Sequence, residues 1–206
     1  MQLTTLLTTV AIAGTALALP ATPAPTRTLA KRDGTQVILD IMPSSSSCTG
    51  RGTQCRTATE AAPYLVQAME DYSIGTNVEQ AGILALVAYE SGELQYSQNL
   101  NNAASGQGTS NMQQGRWNVE YAASIAALAV ESITTSNVLD FVTQDKYNFG
   151  TGPWFYSTQC TAAQAAKDSG ADAWFQEYMS CVGASTSDEP GRLTYWDNAK
   201  KVFGLS

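Results

Sequence analysis

The chain has 206 residues, with 11 lysines and arginines, 18 aspartates and glutamates, four cysteines and no histidine. The missing histidine excludes Ser-His-Asp and Cys-His nucleophilic sites and histidine-ligated zinc. A formal net charge of −7 argues against a nucleic-acid-binding protein, because phosphate contacts need a basic face. Any catalysis would depend on carboxylates, hydroxyls, amides or tyrosines, and we expect neither a cofactor nor a metal site.

The N-terminal segment is typical of a secreted protein. An apolar stretch from Leu3 ends in Ala16-Leu17-Ala18, which has the small-x-small form of a signal-peptidase site. We therefore expect a signal peptide over residues 1–18 and a pro-segment over 19–32 that ends in Lys31-Arg32. This dibasic pair resembles sites cut in fungal secretory processing; the alternative is an ordinary charged pair in a linker. Residues 33–206 are expected to form one extracellular, monomeric domain without a membrane or nucleic-acid partner.

Four cysteines in a secreted chain indicate two disulfides, which can be connected in three ways. Local pairing is the simplest arrangement and predicts Cys48–Cys55 and Cys160–Cys181. We expect both to stabilise the fold rather than to take part in redox chemistry.

Helical periodicity follows a lead-in, residues 33–56, that has little strand character. Thr57 or Thr59 is expected to cap a helix that runs through Ser73. A second helix is predicted to begin at Asn77, with Gln80 as its capping-box partner, and to end at Ser91-Gly92. Residues 93–115 predict a polar loop or short hairpin, and loops this long are usually functional. Helical spacing returns over residues 118–134, 136–144, 161–168, 171–182 and 188–203. The fold class predicted is mainly α, a single helical domain with a small polar excursion.

Glu90 is the most informative single residue. It shares a helix face with Ile83 and Leu86, at the end of an apolar stripe where a leucine would serve stability better. Burial and the negative end of the helix dipole are both expected to raise its pKa, as a general acid requires. The alternative is a solvated glutamate in the last turn of a fraying helix.

Three short motifs around Glu90 carry a resemblance to a known family. They are Tyr89-Glu90-Ser91-Gly92, the stretch from Gly106 that ends in Met112-Gln113, and Tyr147-Asn148-Phe149-Gly150. Their order resembles the lysozyme-like superfamily, above all goose-type lysozymes and soluble lytic transglycosylases. Residues 48–63 and 154–196 are similar to secreted fungal muramidases. Asn111 and Phe149 depart from the family pattern, which has Leu and Ala there.

The resemblance implies an α+β lysozyme-like fold and a muramidase. Such an antimicrobial hydrolase cleaves the β-1,4 bond between N-acetylmuramic acid and N-acetylglucosamine in bacterial cell walls. Glu90 would be the proton donor and Tyr147 would support it, while the partner would be the glycan strands of peptidoglycan. Aromatic side chains are the usual platforms for sugar rings. The expected substrate-binding residues are Ser91, Tyr96, Met112, Gln113, Trp117 and Asn148; Trp154, Phe155, Trp174 and Trp196 are expected in the core.

The second carboxylate of such an enzyme stays open between Glu93, Asp140 and Asp145. Asp145 is favoured because it lies two residues before Tyr147. Three other functions are compatible with the same residues: a catalytically silent binding or effector protein on this scaffold, a lytic transglycosylase, and a chitin or chitosan hydrolase.

Overall fold

The computed structural model describes residues 29, 33–100, 104–129, 131–185 and 190–206. The described residues form ten α-helices and one 3₁₀ helix, Pro43–Ser46. The α-helices are α1 Gly34–Ile41, α2 Ala58–Asp71, α3 Asn77–Glu90, α4 Gly115–Ser124, α5 Val138–Val142, α6 Asp145–Asn148, α7 Thr151–Gln159, α8 Thr161–Ala165, α9 Ala171–Val182 and α10 Pro190–Phe203. The prediction of a mainly helical fold is confirmed.

Helix α3 is the centre of the main core. Every residue from Val78 to Ala88 is buried, so the helix is covered on all sides rather than on one stripe. Helices α9 and α10 pack against it, and Trp174 of α9 lies directly over Gly82. A Cβ atom at Gly82 would lie 2.6 Å from Cη2 of Trp174, so only glycine permits this close approach. The indole of Trp196 stacks on Phe175 at 4.4 Å between ring centroids and completes an aromatic core.

A smaller apolar cluster lies between α4, α5 and α7. Its buried members are Tyr121, Ala122, Leu128, Val138, Val142 and Trp154. Between the two cores runs the segment from Ser91 to Gln114, which we call the polar loop. Its regular pairing consists of two isolated antiparallel bridges, Gln98 to Gly108 and Gly108 to Gln113. The described residues contain no β-strand, so the expected hairpin reduces to these bridges.

Helix caps were predicted with mixed success. Thr57 does cap α2, in a capping box with Glu60. The second box was placed one residue too late: Thr76 caps α3 and Glu79 is its partner, while Gln80 points into the core. Gly92 takes the left-handed conformation expected after a helix, with a φ of 58°.

Several helix boundaries also differ from the sequence prediction. Helix α1 lies in the lead-in over residues 33–56, where no helix was predicted, and Asp33 accepts hydrogen bonds from the amides of Thr35 and Gln36. The helix predicted over 118–134 ends at Ser124, where Ile125 turns to an extended ψ of 113°. Helices α6 and α7 were not predicted, because the Gly and Pro residues of 150–153 suggest a turn. The predicted helix over 171–182 matches α9.

Both predicted disulfides are present, Cys48–Cys55 and Cys160–Cys181, and no cysteine of the described residues is free. Structural disulfides form in oxidising compartments, which fits an extracellular location. Among the described residues, no helix is long and apolar enough to cross a membrane. The predicted signal peptide and the Lys31-Arg32 pair lie outside the described residues.

Candidate ligand-binding cleft

A cleft opens at the C-terminal end of α3, and we call it the Glu90 cleft. It has two adjoining parts, of about 210 and 370 Å³, that share Glu90, Gln107 and Met112. The first part is also lined by Leu86, Asn111, Gln113, Gln114, Trp117, Phe155, Val182, Gly183, Ala184 and Arg192. The second part is also lined by Tyr96, Gln98, Asn99 and Leu100. Carboxamide side chains and aromatic rings therefore make up much of the lining.

Glu90 is the last residue of α3 and is paired with Arg192 of α10. Oε1 of Glu90 lies 2.8 Å from a guanidinium nitrogen of Arg192, and the two side chains are 20 % and 10 % exposed. Arg192 also stacks over the ring of Tyr89 and donates to the carbonyl of Ser185. A guanidinium favours the ionised carboxylate, which opposes the two effects used to predict a protonated Glu90.

Gln113 is held in the wall of the cleft by Asn118. Nε2 of Gln113 donates to Oδ1 of Asn118 at 3.0 Å, and Nδ2 of Asn118 donates to the carbonyls of Gly106 and Gln113. Oε1 of Gln113 is buried and has no hydrogen-bond partner among the described residues, although the side chain lines the cleft. A buried acceptor without a donor is costly unless a ligand or water supplies one.

The backbone of the polar loop is strained. Glu93, Leu94, Thr109 and Met112 all have positive φ, between 47° and 67°. Non-glycine residues in this region cost free energy and persist only where surrounding contacts hold them. Here the contacts are side-chain bonds, such as Thr109 and Thr151 hydroxyls at 2.9 Å, and strain of this kind is common at functional sites.

The structure places four of the six predicted substrate-binding residues in the cleft: Tyr96, Met112, Gln113 and Trp117. The other two are buried behind it. Ser91 is fully buried, and its hydroxyl donates to the Val87 carbonyl and accepts from the Leu94 amide, which closes the end of α3. Asn148 is 4 % exposed, and its carbonyl accepts hydroxyls from the loop and α7.

Asp145 and Tyr147 do not line the Glu90 cleft. Both carboxylate oxygens of Asp145 accept from Nε of Arg56, at 2.7 and 2.9 Å, and this bond raises the pKa of Arg56. Lys146 covers the ring of Tyr147, and the Tyr147 carbonyl accepts from Tyr121. These contacts connect α6 to its neighbours, so no second carboxylate joins Glu90 from this motif.

Glu93 and Asp140 also lie elsewhere. Glu93 accepts from the Ser44 amide at 2.6 Å and from the Tyr195 hydroxyl at 2.7 Å, which fixes the start of the polar loop. Burial and the neighbouring carboxylate of Glu93 raise the pKa of Tyr195 to about 12. Asp140 is exposed on α5 and is not among the cleft residues.

Sequence reasoning missed Arg192, the residue that pairs with Glu90. The two are 102 positions apart, and an arginine on a helix near the C-terminus carries no signal for that contact. Phe155 was expected in the core but lines the cleft, where its ring meets Trp117 edge to face at 5.4 Å. Trp154, Trp174 and Trp196 are buried, as predicted.

A search among known proteins finds similarity to a bifunctional dioxygenase–epoxy alcohol synthase from Fusarium oxysporum. The two are 42 % identical over 160 residues, which cover 71 % of this chain and 12 % of the relative. The chain therefore spans about an eighth of the length of that relative. No family model matches the chain.

This finding overturns the muramidase prediction. The relative is named for oxidative chemistry, not for hydrolysis of a glycosidic bond, and no lysozyme family model matches. The assignment to fungal muramidases, the glycoside-hydrolase activity and the role in cell-wall degradation were therefore wrong. They depended on three short motifs, and in one of them Ser91, a predicted binding residue, is used in buried hydrogen bonds that close the end of α3.

Proposed function

We propose that this chain is a secreted, non-redox ligand-binding domain, and that its Glu90 cleft binds an N-acetylated glycan strand such as that of peptidoglycan. The observation that carries the proposal is the unpartnered Oε1 of Gln113 in the cleft wall. An acceptor held at this position by Asn118 suits a hydroxyl or an N-acetyl N–H of a sugar.

The rest of the lining supports a ligand rich in hydroxyl and amide groups. Carboxamides of Gln107, Asn111 and Gln114 can donate to and accept from sugar hydroxyls. Trp117 and Tyr96 offer flat apolar surfaces for sugar rings. Glu90 is paired with Arg192 at 2.8 Å, and this ion pair offsets its charge within the cleft.

The activities named for the Fusarium relative are not proposed for this chain. Activation of dioxygen is the work of a bound metal or organic cofactor, and the usual protein ligands of redox metals are His and Cys. The chain has no histidine, and its four cysteines are used in two disulfides. Within the part of the chain that the structure describes, no cluster of three acidic or sulfur ligands exists either. We infer that the shared segment is a domain that accompanies the oxidising part of the relative.

Binding is tested by fluorescence titration with soluble peptidoglycan fragments, and with chitin oligomers in parallel. Trp117 is the tryptophan in the cleft and the other three are buried, so the emission change should vanish in Trp117→Phe. Gln113→Met keeps the side-chain volume and removes the acceptor. We expect it to weaken binding about tenfold, or about 1.4 kcal/mol, as for loss of one buried hydrogen bond.

The matched control is Gln67→Met, because Gln67 lies on α2 outside the cleft and its carboxamide donates to Asp71. It should leave the affinity unchanged. Equal affinities for wild type and Gln113→Met, or no binding of any glycan, would contradict the proposal. Dioxygen uptake or a visible cofactor absorbance in the purified chain would instead place it in the oxidising part.

A further inference from the structure

Leu29 belongs to the predicted pro-segment and yet lies in the core. It is completely buried and is a member of the main apolar cluster, together with residues of α1, α2, α3, α9 and α10. In sequence it stands three residues before Arg32, on the N-terminal side of the predicted cut. A cut after Arg32 would therefore separate a core side chain from the domain that it helps to fill.

The main chain of Leu29 is bound as well as its side chain. Its amide donates to Oε1 of Gln80 at 2.7 Å, and Nε2 of Gln80 donates to the Ile74 carbonyl at 2.8 Å. Gln80 is 2 % exposed on α3, where a polar side chain is expensive unless both of its ends are satisfied. We call this place, defined by Gln80, Ile74 and the bound Leu29, the Leu29 socket.

The Leu29 socket explains why Gln80, a polar residue, is buried. Gln80 was expected to cap its helix, but that role belongs to Glu79. Its side-chain carbonyl oxygen instead accepts a hydrogen bond from the Leu29 amide, much as a carbonyl of an edge strand accepts one from an added peptide. Gln80 and Ile74 also line a groove on the surface with Val66, Met69 and Gly75, so the socket lies beside solvent.

We propose that the Leu29 socket is a docking site for the pro-segment, which occupies it in cis before cleavage and can be bound in trans after cleavage. The proposal depends on processing at Lys31-Arg32 but not on the proposed glycan binding. Loss of the segment would empty the volume of a leucine in the core and leave Oε1 of Gln80 without its donor. The uncut chain is then the more stable form, and cleavage converts it to a looser one.

The first test is thermal unfolding of the uncut chain. Leu29→Ala should lower the Tm by about 5–20 °C, the range expected when a fully buried leucine is truncated. The matched control is Leu193→Ala, because Leu193 is 37 % exposed on α10, and its Tm should change by no more than about 2 °C. Equal shifts in the two variants would overturn the proposal.

The second test follows the cut itself. A dibasic-specific protease should cut the wild-type chain slowly and Leu29→Ala quickly, while a chain lacking both basic residues, K31A/R32A, stays intact. After removal of the fragment the Tm of wild type should fall, and a synthetic peptide of residues 25–32 should restore it. The same peptide with Leu29→Ala should not. A cut chain with an unchanged Tm, or one that the wild-type peptide fails to rescue, would refute docking in trans.

Discussion

The α3–α9–α10 core and the polar loop are built on different physical principles. The core depends on apolar contact, with Trp174 seated on Gly82 and Trp196 stacked on Phe175. The polar loop has little apolar content and a strained backbone, and it is held by directed bonds from Asn118, Glu93 and Thr151. We therefore expect most of the stability to come from the core and the proposed ligand binding to depend on the polar loop, which side-chain hydrogen bonds hold in shape.

Truncation of the core aromatic should give the largest loss of stability. Trp174→Ala is expected to lower the free energy of unfolding by about 3–5 kcal/mol, because the indole is completely buried against α3. Chemical denaturation measures this value. Trp117→Ala is the paired variant in the cleft and should cost less than about 1.5 kcal/mol while abolishing the ligand-induced fluorescence change. Similar losses for both tryptophans would erase the distinction between the two regions.

Loss of the Asn118 side chain, which lies on α4 and bonds to the polar loop, should have an intermediate effect on stability. Asn118→Ala removes three hydrogen bonds, two of them buried, and leaves the Gly106 carbonyl without this donor and Nε2 of Gln113 without its acceptor. We expect a loss of about 2–3 kcal/mol in unfolding free energy together with a larger loss of ligand affinity. Asn137→Ala removes bonds in an exposed turn and should leave ligand affinity unchanged. If Asn118→Ala binds ligand as tightly as wild type does, the binding conformation of the polar loop does not depend on the hydrogen bonds of Asn118.

The contact between the polar loop and α10 should cause a small change in stability at alkaline pH. The pKa of Tyr195 is raised to about 12 by burial and by Glu93, so the folded state retains this proton more strongly than the unfolded state. Its stabilising contribution is complete below the unfolded pKa, about 10, and is lost as the pH rises from there to about 12. Thermal unfolding across this range should show a shallower decline in Tyr195→Phe than in wild type. Identical pH profiles would mean that this bond adds no stability.

Local sequence signals predicted the parts of this protein that depend on neighbouring residues. The N-cap at Thr57, one of two threonines expected there, the left-handed Gly92 and both short-range disulfides follow from residue types at close spacing. The amphipathic spacing of 171–182 gave α9 at its observed bounds. Four of six predicted binding residues lie in the cleft for a related reason, because a long polar loop after a buried helix indicates a functional surface.

The same local signals failed where the role of a residue depends on residues that are far away in the sequence. Ser91 fitted a family motif, but its hydroxyl makes buried hydrogen bonds that close the end of α3. Asn148 fitted another motif, but it is buried and does not line the cleft. Asp145 was a reasonable partner for Glu90 until its bond to Arg56 of another segment was known. Short motifs of common polar residues also occur for structural reasons, and the muramidase prediction, which depended on three of them, is contradicted by the similarity to the Fusarium protein.

The sequence by itself determined that the chain is helical, disulfide-linked and without histidine chemistry, since these properties follow from composition and local spacing. Only the tertiary structure decided that Glu90 is paired with Arg192, that Gln113 offers an unused acceptor and that Leu29 fills the core. The first and third depend on contacts between residues far apart in the chain. The second depends on the lack of a donor near Gln113 among the described residues. Local periodicity contains no record of such contacts, because they arise only when separate helices pack.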